Sequence, residues 1–252
     1  MSTVLITWAS SGIGWEFAHI FAGKWYDLIL VARRWDLIKK IQDTFPDRHI
    51  EIIEENLSIA WSAKELYETI SSKNLVVDIL INNAGFWDFG YFHEGELEKY
   101  TEMIELNITT LTELCHLFGK EMVVRKSGKI LNIASTAAFQ PGPLMSVYFA
   151  TKHYVLAFSE GIAEEWDEYG VTVTALCPGP TESGFQKEAH ATENKMFTKK
   201  LPTSKEVAEY GYESLMQWRR VAIHGLMNWF LAFLVRFTPR IVIVKIIKNM
   251  QK

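Results

Sequence analysis

The sequence predicts an α/β fold: a doubly wound parallel sheet of about seven strands with helices on both faces, forming a single domain that ends in a helical tail. Three observations carry this. Short β-branched runs recur along the chain, they are apolar throughout rather than alternating, and segments with helical spacing lie between them. Strands buried on both faces read as continuous apolar runs, and helical crossovers between such strands make βαβ units. Those crossovers are right-handed, and ligands gather outside the carboxyl ends of the strands.

The expected strands are "TVLIT" at 3–7, "DLILVA" at 27–32, "HIEII" at 49–53, "VVDILI" at 76–81, "GKILNIA" at 128–134 and "VTVTALC" at 171–177. "RRVAIHG" at 219–225 supplies a seventh. After the sixth strand the chain begins as a loop and turns helical near Thr203, where the Thr203-x-x-Glu206 spacing fits a capping box. Thr238-Pro239 suits the start of a last helix, with threonine as cap and proline at the first helical position. The division expected is a sheet domain over 1–225 and an apolar, basic helical extension over 226–252.

At 252 residues, 48% of them apolar, the chain is long enough for one domain with an extended core. A formal charge of −4 gives no blanket of positive potential, so no nucleic-acid partner is expected. Cys115 and Cys177 show neither zinc-site nor disulfide spacing, and no metal site is expected. Together with an N-terminus that starts directly on a strand, they point to a reducing, cytoplasmic location.

The tail mixes apolar runs with Arg236, Arg240, Lys245, Lys248 and Lys252. Crossing a bilayer takes about 20 apolar residues, and Arg236, Pro239 and Arg240 interrupt the run. Two readings stand. The tail lies on a membrane interface with its cations near lipid phosphates, or it packs over the substrate pocket or a partner subunit.

The strand ends carry the chemistry. Behind the first strand, Ser10, Ser11, Gly12, Ile13 and Gly14 form a loop that opens a helix. Glycine there lets backbone amides approach a pyrophosphate, and the helix N-terminus favours the anion. Arg33 and Arg34 end the second strand, where the ribose of a bound dinucleotide would lie. Arginine pairs with a 2′-phosphate, whereas NAD-selective sites place an acid there, so the expected cofactor is NADP(H). The competing reading is that both arginines solvate a helix start. Asn56 and Leu57 follow the third strand as candidate adenine contacts.

Tyr148 and Lys152 are four apart and share a helix face, and Ser135 ends the fifth strand within reach of them. A tyrosine pKa starts near 10, and bringing it to neutrality takes about 4 kcal/mol, much of which a neighbouring ammonium can supply. Lys152 would therefore stabilise the tyrosinate while Ser135 donates to a substrate oxygen.

With these residues the chain resembles the short-chain dehydrogenase/reductase family from Thr3 to about Gly225. "TWASSGIG" matches its glycine motif, "NNAG" (Asn82 to Gly85) its sheet motif, and Ser135, Tyr148 and Lys152 its catalytic set. The resemblance implies that Asn107 holds the water linking the lysine to solvent. It places Asn83, Ala84 and Gly85 beside the cofactor, with Tyr148 and Lys152 themselves in contact with it. It assigns Pro178, Gly179, Thr181 and Ser183 to the nicotinamide loop. The implied reaction passes a hydride between nicotinamide and a carbonyl or alcohol, with Tyr148 as general acid and base and no metal. A homodimer or homotetramer is implied as well.

Trp8 departs from the resemblance, because it stands at the first glycine of the cofactor motif, and Trp25, Trp61 and Trp87 also stand where relatives commonly have glycine. Trp15 and Trp35 form a less clear extension of that set. One account is that the source reads UGA as glycine and the chain was written with UGA as tryptophan. The other is genuine substitution in a tolerant scaffold. If the tryptophans are real, a second function gains weight: a catalytically impaired relative with weakened cofactor binding, acting through protein or membrane contacts. Around the mouth, Phe86, Phe139, Pro141, Pro143, Leu144 and Met145 predict a largely apolar carbonyl substrate. A lid is expected over 184–203, offering Phe185, His190, Met196 and Phe197.

Overall fold

A computed structural model of the chain describes residues 2–182 and 201–251, with Trp35 described in its backbone only. Its strands are β1 (Thr3–Thr7), β2 (Asp27–Ala32), β3 (Ile50–Glu54), β4 (Ile79–Asn82), β5 (Gly128–Ile133), β6 (Val171–Cys177) and β7 (Val221–Ile223). The described helices are α1 (Gly12–Gly23), α2 (Trp35–Thr44), α3 (Ser62–Ser72), α4 (Leu97–Ile104), α5 (Leu111–Arg125), α6 (Ser146–Trp166), α7 (Ser204–Met216), α8 (Leu226–Val235) and α9 (Arg240–Gln251).

All seven strands are parallel, in the order β3-β2-β1-β4-β5-β6-β7. Every apolar run read from the sequence is a strand. The fourth starts later than expected, at Ile79 rather than Val76, and just before it the Asp78 carboxylate accepts from the Thr3 N–H at 2.9 Å, anchoring β4 to the start of β1. Alternate side chains serve two cores. Val4, Ile6, Leu28 and Leu30 pack against Phe17 and Phe21 of α1, Ile38 and Ile41 of α2, and Val207 and Leu215 of α7. Leu5, Ile29 and Val31 pack against Leu66 and Ile70 of α3, Phe118 and Met122 of α5, and Val155 and Ile162 of α6. Each such fully buried side chain contributes about 1.5–3 kcal/mol.

The expected capping box is present: Thr203 accepts from the Glu206 N–H while the Glu206 carboxylate accepts from the Thr203 N–H. The last helix starts differently from expectation. Pro239, not Thr238, precedes its first residue, and the Thr238 hydroxyl donates to Leu234 O at 3.1 Å. So few residues separate α8 from α9 that Thr238 is still within reach of the last turn of α8.

The strand order reverses between β1 and β4, which opens a crevice at their carboxyl ends. Between α4 and α5 the helix widens into a π segment over Glu105–Thr110. Such bulges are frequent at functional sites, and this one carries Asn107.

Candidate active site

The crevice is held open by hydrogen bonds to Thr7. Its hydroxyl accepts from the N–H groups of Asn83 (3.0 Å) and Ala84 (2.9 Å) and donates to Ile81 O (3.3 Å). Asn83 in turn donates its amide to the carbonyls of Thr7 and Trp8, at 3.0 and 3.2 Å. Gly14 lies under this lattice, where a Cβ would stand 2.4 Å from Trp8 O and 2.5 Å from Asn83 Nδ2. Ser10 lies in the turn before the helix and is partly buried. Ser11, exposed and extended, occupies the N-cap of α1 without a side-chain capping bond, and Gly12 follows at φ +58. The amides of the first turn therefore face the crevice end uncapped, as an anion site requires.

On α6, Lys152 is buried and donates to the carbonyl of Ile133, at the end of β5, over 2.7 Å. Its ammonium lies 5.8 Å from the centre of the Tyr148 ring. Ser135 sits just beyond β5; its hydroxyl accepts from Ala137 N–H at 3.1 Å and donates to Pro178 O at 3.4 Å. Asn107 is buried, accepts from Phe86 N–H and donates to Phe86 O and Thr151 Oγ1. Asn107 and Lys152 meet at Gly85, where a Cβ would be 2.9 Å from Asn107 Oδ1 and 3.4 Å from Lys152 Nζ. Ala84 is partly buried beside it.

Burial pushes the Tyr148 phenol up to about 12, and a hydrogen bond from Ser135 pulls the other way. The same burial brings Lys152 down to about 8. The direction at Tyr148 is opposite to the lowering expected from Lys152. The cause is that removal from water disfavours the phenolate, while the ammonium is committed to Ile133 O.

These groups line one cavity of about 710 Å³ that runs from Trp8, Ser11, Gly12 and Ile13 past Asn83 and Gly85 to Ser135, Tyr148 and Lys152. Pro178, Gly179 and Thr181 line it too, and the Thr181 hydroxyl donates to Gly179 O at 2.9 Å. Arg33 and Arg34 are exposed beyond β2, and the Arg33 guanidinium lies 4.9 Å from the centre of the Trp8 ring. Asn56 turns inward on its own loop, its Oδ1 accepting from Ser58 N–H and Oγ. The Leu57 side chain is in the core and its carbonyl accepts from Thr110 Oγ1, and neither Asn56 nor Leu57 lines the cavity. Ser183 and the expected lid from 184 to 200 lie outside the described residues.

The apolar wall differs from expectation. Of the six residues expected at the mouth only Met145 lines the cavity; Phe86 and Phe139 pack against the core behind it. The wall is built instead by the tail, through Leu231, Ala232 and Val235 of α8 and Ile243, Ile247 and Met250 of α9. Asn228 of α8 packs directly on Gly179, where a Cβ would meet its amide at 2.6 Å. Of the two placements that the sequence left open for the tail, packing over the pocket is the one seen on its inner side, where it walls the cavity.

Residues 2–194 match the family model described as short chain dehydrogenase. The chain belongs to the short-chain dehydrogenase family. Among its curated relatives is the 2-dehydro-3-deoxy-D-gluconate 5-dehydrogenase of Bacillus subtilis, 30% identical over 81% of each chain. A very-long-chain 3-oxoacyl-CoA reductase of Phaeosphaeria nodorum is 30% identical over 98% of this chain and 76% of the relative. Among solved structures, a short-chain dehydrogenase from Sphingobium yanoikuyae in complex with NADPH superposes with a TM-score of 0.83 at 30% identity, covering 94% of each chain.

In this short-chain dehydrogenase several positioning residues had no signal in the sequence. Thr7 and Thr151 orient Asn83 and Asn107. A buried relay fixes α6 to the sheet: Asn82 Nδ2 donates to Asn132 Oδ1 at 2.9 Å, Asn132 Nδ2 donates to Ser159 Oγ at 2.9 Å, and Ser159 donates to Val155 O.

Proposed function

We propose that the protein is an NADP(H)-dependent oxidoreductase that reduces the carbonyl of a largely apolar substrate, with Tyr148 as the proton donor. The observation that carries this reading is the convergence of Ser135, Tyr148 and Lys152 on a single cavity that begins at the uncapped N-terminus of α1.

The chain's residues fit a dinucleotide. At Gly14 a Cβ would meet Trp8 O and Asn83 Nδ2 and at Gly85 it would meet Asn107 Oδ1, so glycine there lets α1, Asn83 and Asn107 close up around the crevice, and Gly85 itself lines it. The first-turn amides of α1 would hold the pyrophosphate, Arg33 the 2′-phosphate, Asn83 the floor of the crevice, and Pro178, Gly179 and Thr181 the nicotinamide end. When bound, the cofactor supplies the hydride.

The protein's own part is polarisation and proton delivery. A phenol pushed up to about 12 is protonated across the neutral range, the form from which a proton donor starts, and it must be brought down by groups at the reacting oxygen before it gives that proton up. The Ser135 hydroxyl would donate to the carbonyl oxygen, and Tyr148 would transfer its proton to that oxygen as the carbon is reduced. Lys152, brought down to about 8, stays largely charged at neutral pH yet can pass a proton on to the tyrosinate. Asn107 holds the strand end and α6 together at Gly85, beside that ammonium.

The second reading, an impaired relative that acts through protein or membrane contacts, rests on Trp8, which lines the cavity with its indole 4.9 Å from the Arg33 guanidinium. One experiment separates the two: a screen of NADPH oxidation over aldehydes, ketones, quinones and 3-oxoacyl compounds, with Tyr148→Phe as control and NADPH titration alongside. Saturable binding at micromolar NADPH and turnover that Tyr148→Phe lowers by 10²-fold or more support the reductase. Activity that survives the substitution refutes the mechanism, and no binding up to millimolar NADPH favours the impaired relative.

A further inference from the structure

Helix α8 is apolar at every position except Asn228, yet Ala232 is its one buried residue. Leu226 is 89% exposed, Trp229, Phe230 and Phe233 are exposed around it, and Phe237 extends the patch past the helix end. A helix that is hydrophobic all round belongs inside a core or a membrane, and patches of this kind mark interaction sites. The inner sides of α8 and α9 are spoken for by the cavity. Their outer sides are not covered by any described residue.

Charge identifies the occupant. Residues 226–252 hold five cationic residues and no acidic one, which leaves the rest of a chain of net charge −4 at −9. Arg236, Arg240, Lys245 and Lys248 are exposed, and none forms an ion pair with a described residue. A two-fold contact through this face would bring two like-charged tails together. No described helix is long and apolar enough to cross a membrane. We propose that α8 and α9 dock the protein on an anionic lipid surface, with Trp229 and Phe230 in the acyl boundary and the four cations among the headgroups. The docking stands independently of the reductase reading. If that reading also holds, the cavity wall and the lipid contact share two helices, and an apolar substrate can reach Tyr148 from the bilayer.

The test is co-sedimentation of the full chain with phosphatidylcholine vesicles, with and without phosphatidylserine, against Arg236→Glu/Lys245→Glu and against Trp229→Ser/Phe230→Ser. Circular dichroism and NADPH titration report whether each variant is folded. Binding that needs phosphatidylserine, weakens with salt, and falls at least tenfold in each folded variant is expected. Equal binding to both vesicles, no binding to either, or a concentration-dependent dimer that the same substitutions dissociate would overturn the proposal.

A second inference rests on backbone geometry, taken with the tryptophans that stand at glycine positions in the sequence. Seven described residues other than glycine have positive φ, and four are tryptophan: Trp8 (54°), Trp25 (69°), Trp61 (73°) and Trp218 (60°). With nine tryptophans in 252 residues, fewer than one of the seven would be expected in proportion. Left-handed backbone costs an L-residue roughly 1–2 kcal/mol, and a bulky one is an outlier there. Trp25 and Trp218 both close a helix in the same way. After α1, Trp25 N–H donates to Ala22 O and Tyr26 N–H to Phe21 O; after α7, Trp218 N–H donates to Leu215 O and Arg219 N–H to Ser214 O. This is the Schellman arrangement, whose left-handed position belongs to glycine. Trp25, Trp61 and Trp218 are 59%, 68% and 66% exposed, so core packing does not account for the indoles.

We infer that glycine stands at 8, 25, 61 and 218 in the natural protein, encoded by UGA. Trp218 thus joins the set read from the sequence, whereas Trp87, buried against Phe89, Met145 and Tyr148 without positive φ, is not carried by this argument. The coding DNA and peptide masses of the protein from its source decide the matter: UGA codons and glycine masses are expected, and UGG at the four positions overturns the inference. Toward the cofactor, Trp8→Gly should tighten NADPH binding at least tenfold by fluorescence titration. Unchanged affinity would show that the indole does not obstruct the site.

Discussion

The buried ammonium of Lys152 is held by the carbonyl of Ile133, 2.7 Å away, so the residue one helical turn from Tyr148 is anchored to the sheet rather than to the phenol. Burial lowers its pKa from 10.5 to about 8. Between those values the unfolded chain binds the proton and the folded one does not, so this group makes stability rise with pH. Relative to Lys152→Met, the wild-type protein should gain on the order of 3 kcal/mol as pH goes from 8 to 10.5. Urea melts of both proteins across that range measure it, and parallel pH curves would contradict the burial.

Thr7 should behave as a structural hinge pin of the crevice. Thr7→Val keeps the shape and removes the hydroxyl that accepts from the Asn83 and Ala84 N–H groups; Asn83 N–H keeps the Ile81 carbonyl at 3.0 Å, so Ala84 N–H is the donor left unpaired. An unpaired donor costs about 1–3 kcal/mol, so a loss in that range is expected. NADPH affinity should fall with it, because the Ala84 N–H left without its acceptor loosens the strand end that carries Asn83. Calorimetry and titration on the same sample test both halves.

Arg33 is expected to set cofactor choice. Arg33→Asp replaces a phosphate partner with an acceptor for a ribose hydroxyl. The ratio of NADPH to NADH affinity should drop at least tenfold, and a ratio that does not move would assign Arg33 to solvation alone.

Trp61 gives the clearest stability test of the left-handed set. It caps α3 at φ 73 and is exposed, so Trp61→Gly should stabilise by about 1 kcal/mol, raising Tm by a few degrees. Trp61→Ala keeps a Cβ and should give much less. Equal gains from both would mean that removing the indole, not relieving the backbone, is what matters.

The seven strands and the capping box at Thr203 were legible in the sequence because each depends on local pattern, and the four-residue spacing of Tyr148 and Lys152 already put them on one turn of α6; Asn107 came only through the resemblance. Continuous apolar runs fix buried strands whatever surrounds them. What the sequence could not decide depends on contacts distant along the chain. The Tyr148 pKa turned upward because burial outweighs an ammonium that another strand holds. The cavity wall came from α8 and α9 rather than from Phe139 and its neighbours, because only the folded chain lays a C-terminal tail across Gly179. At Trp8, Trp25, Trp61 and Trp218 the sequence named the residue, and the tertiary structure supplied the left-handed backbone that it does not suit.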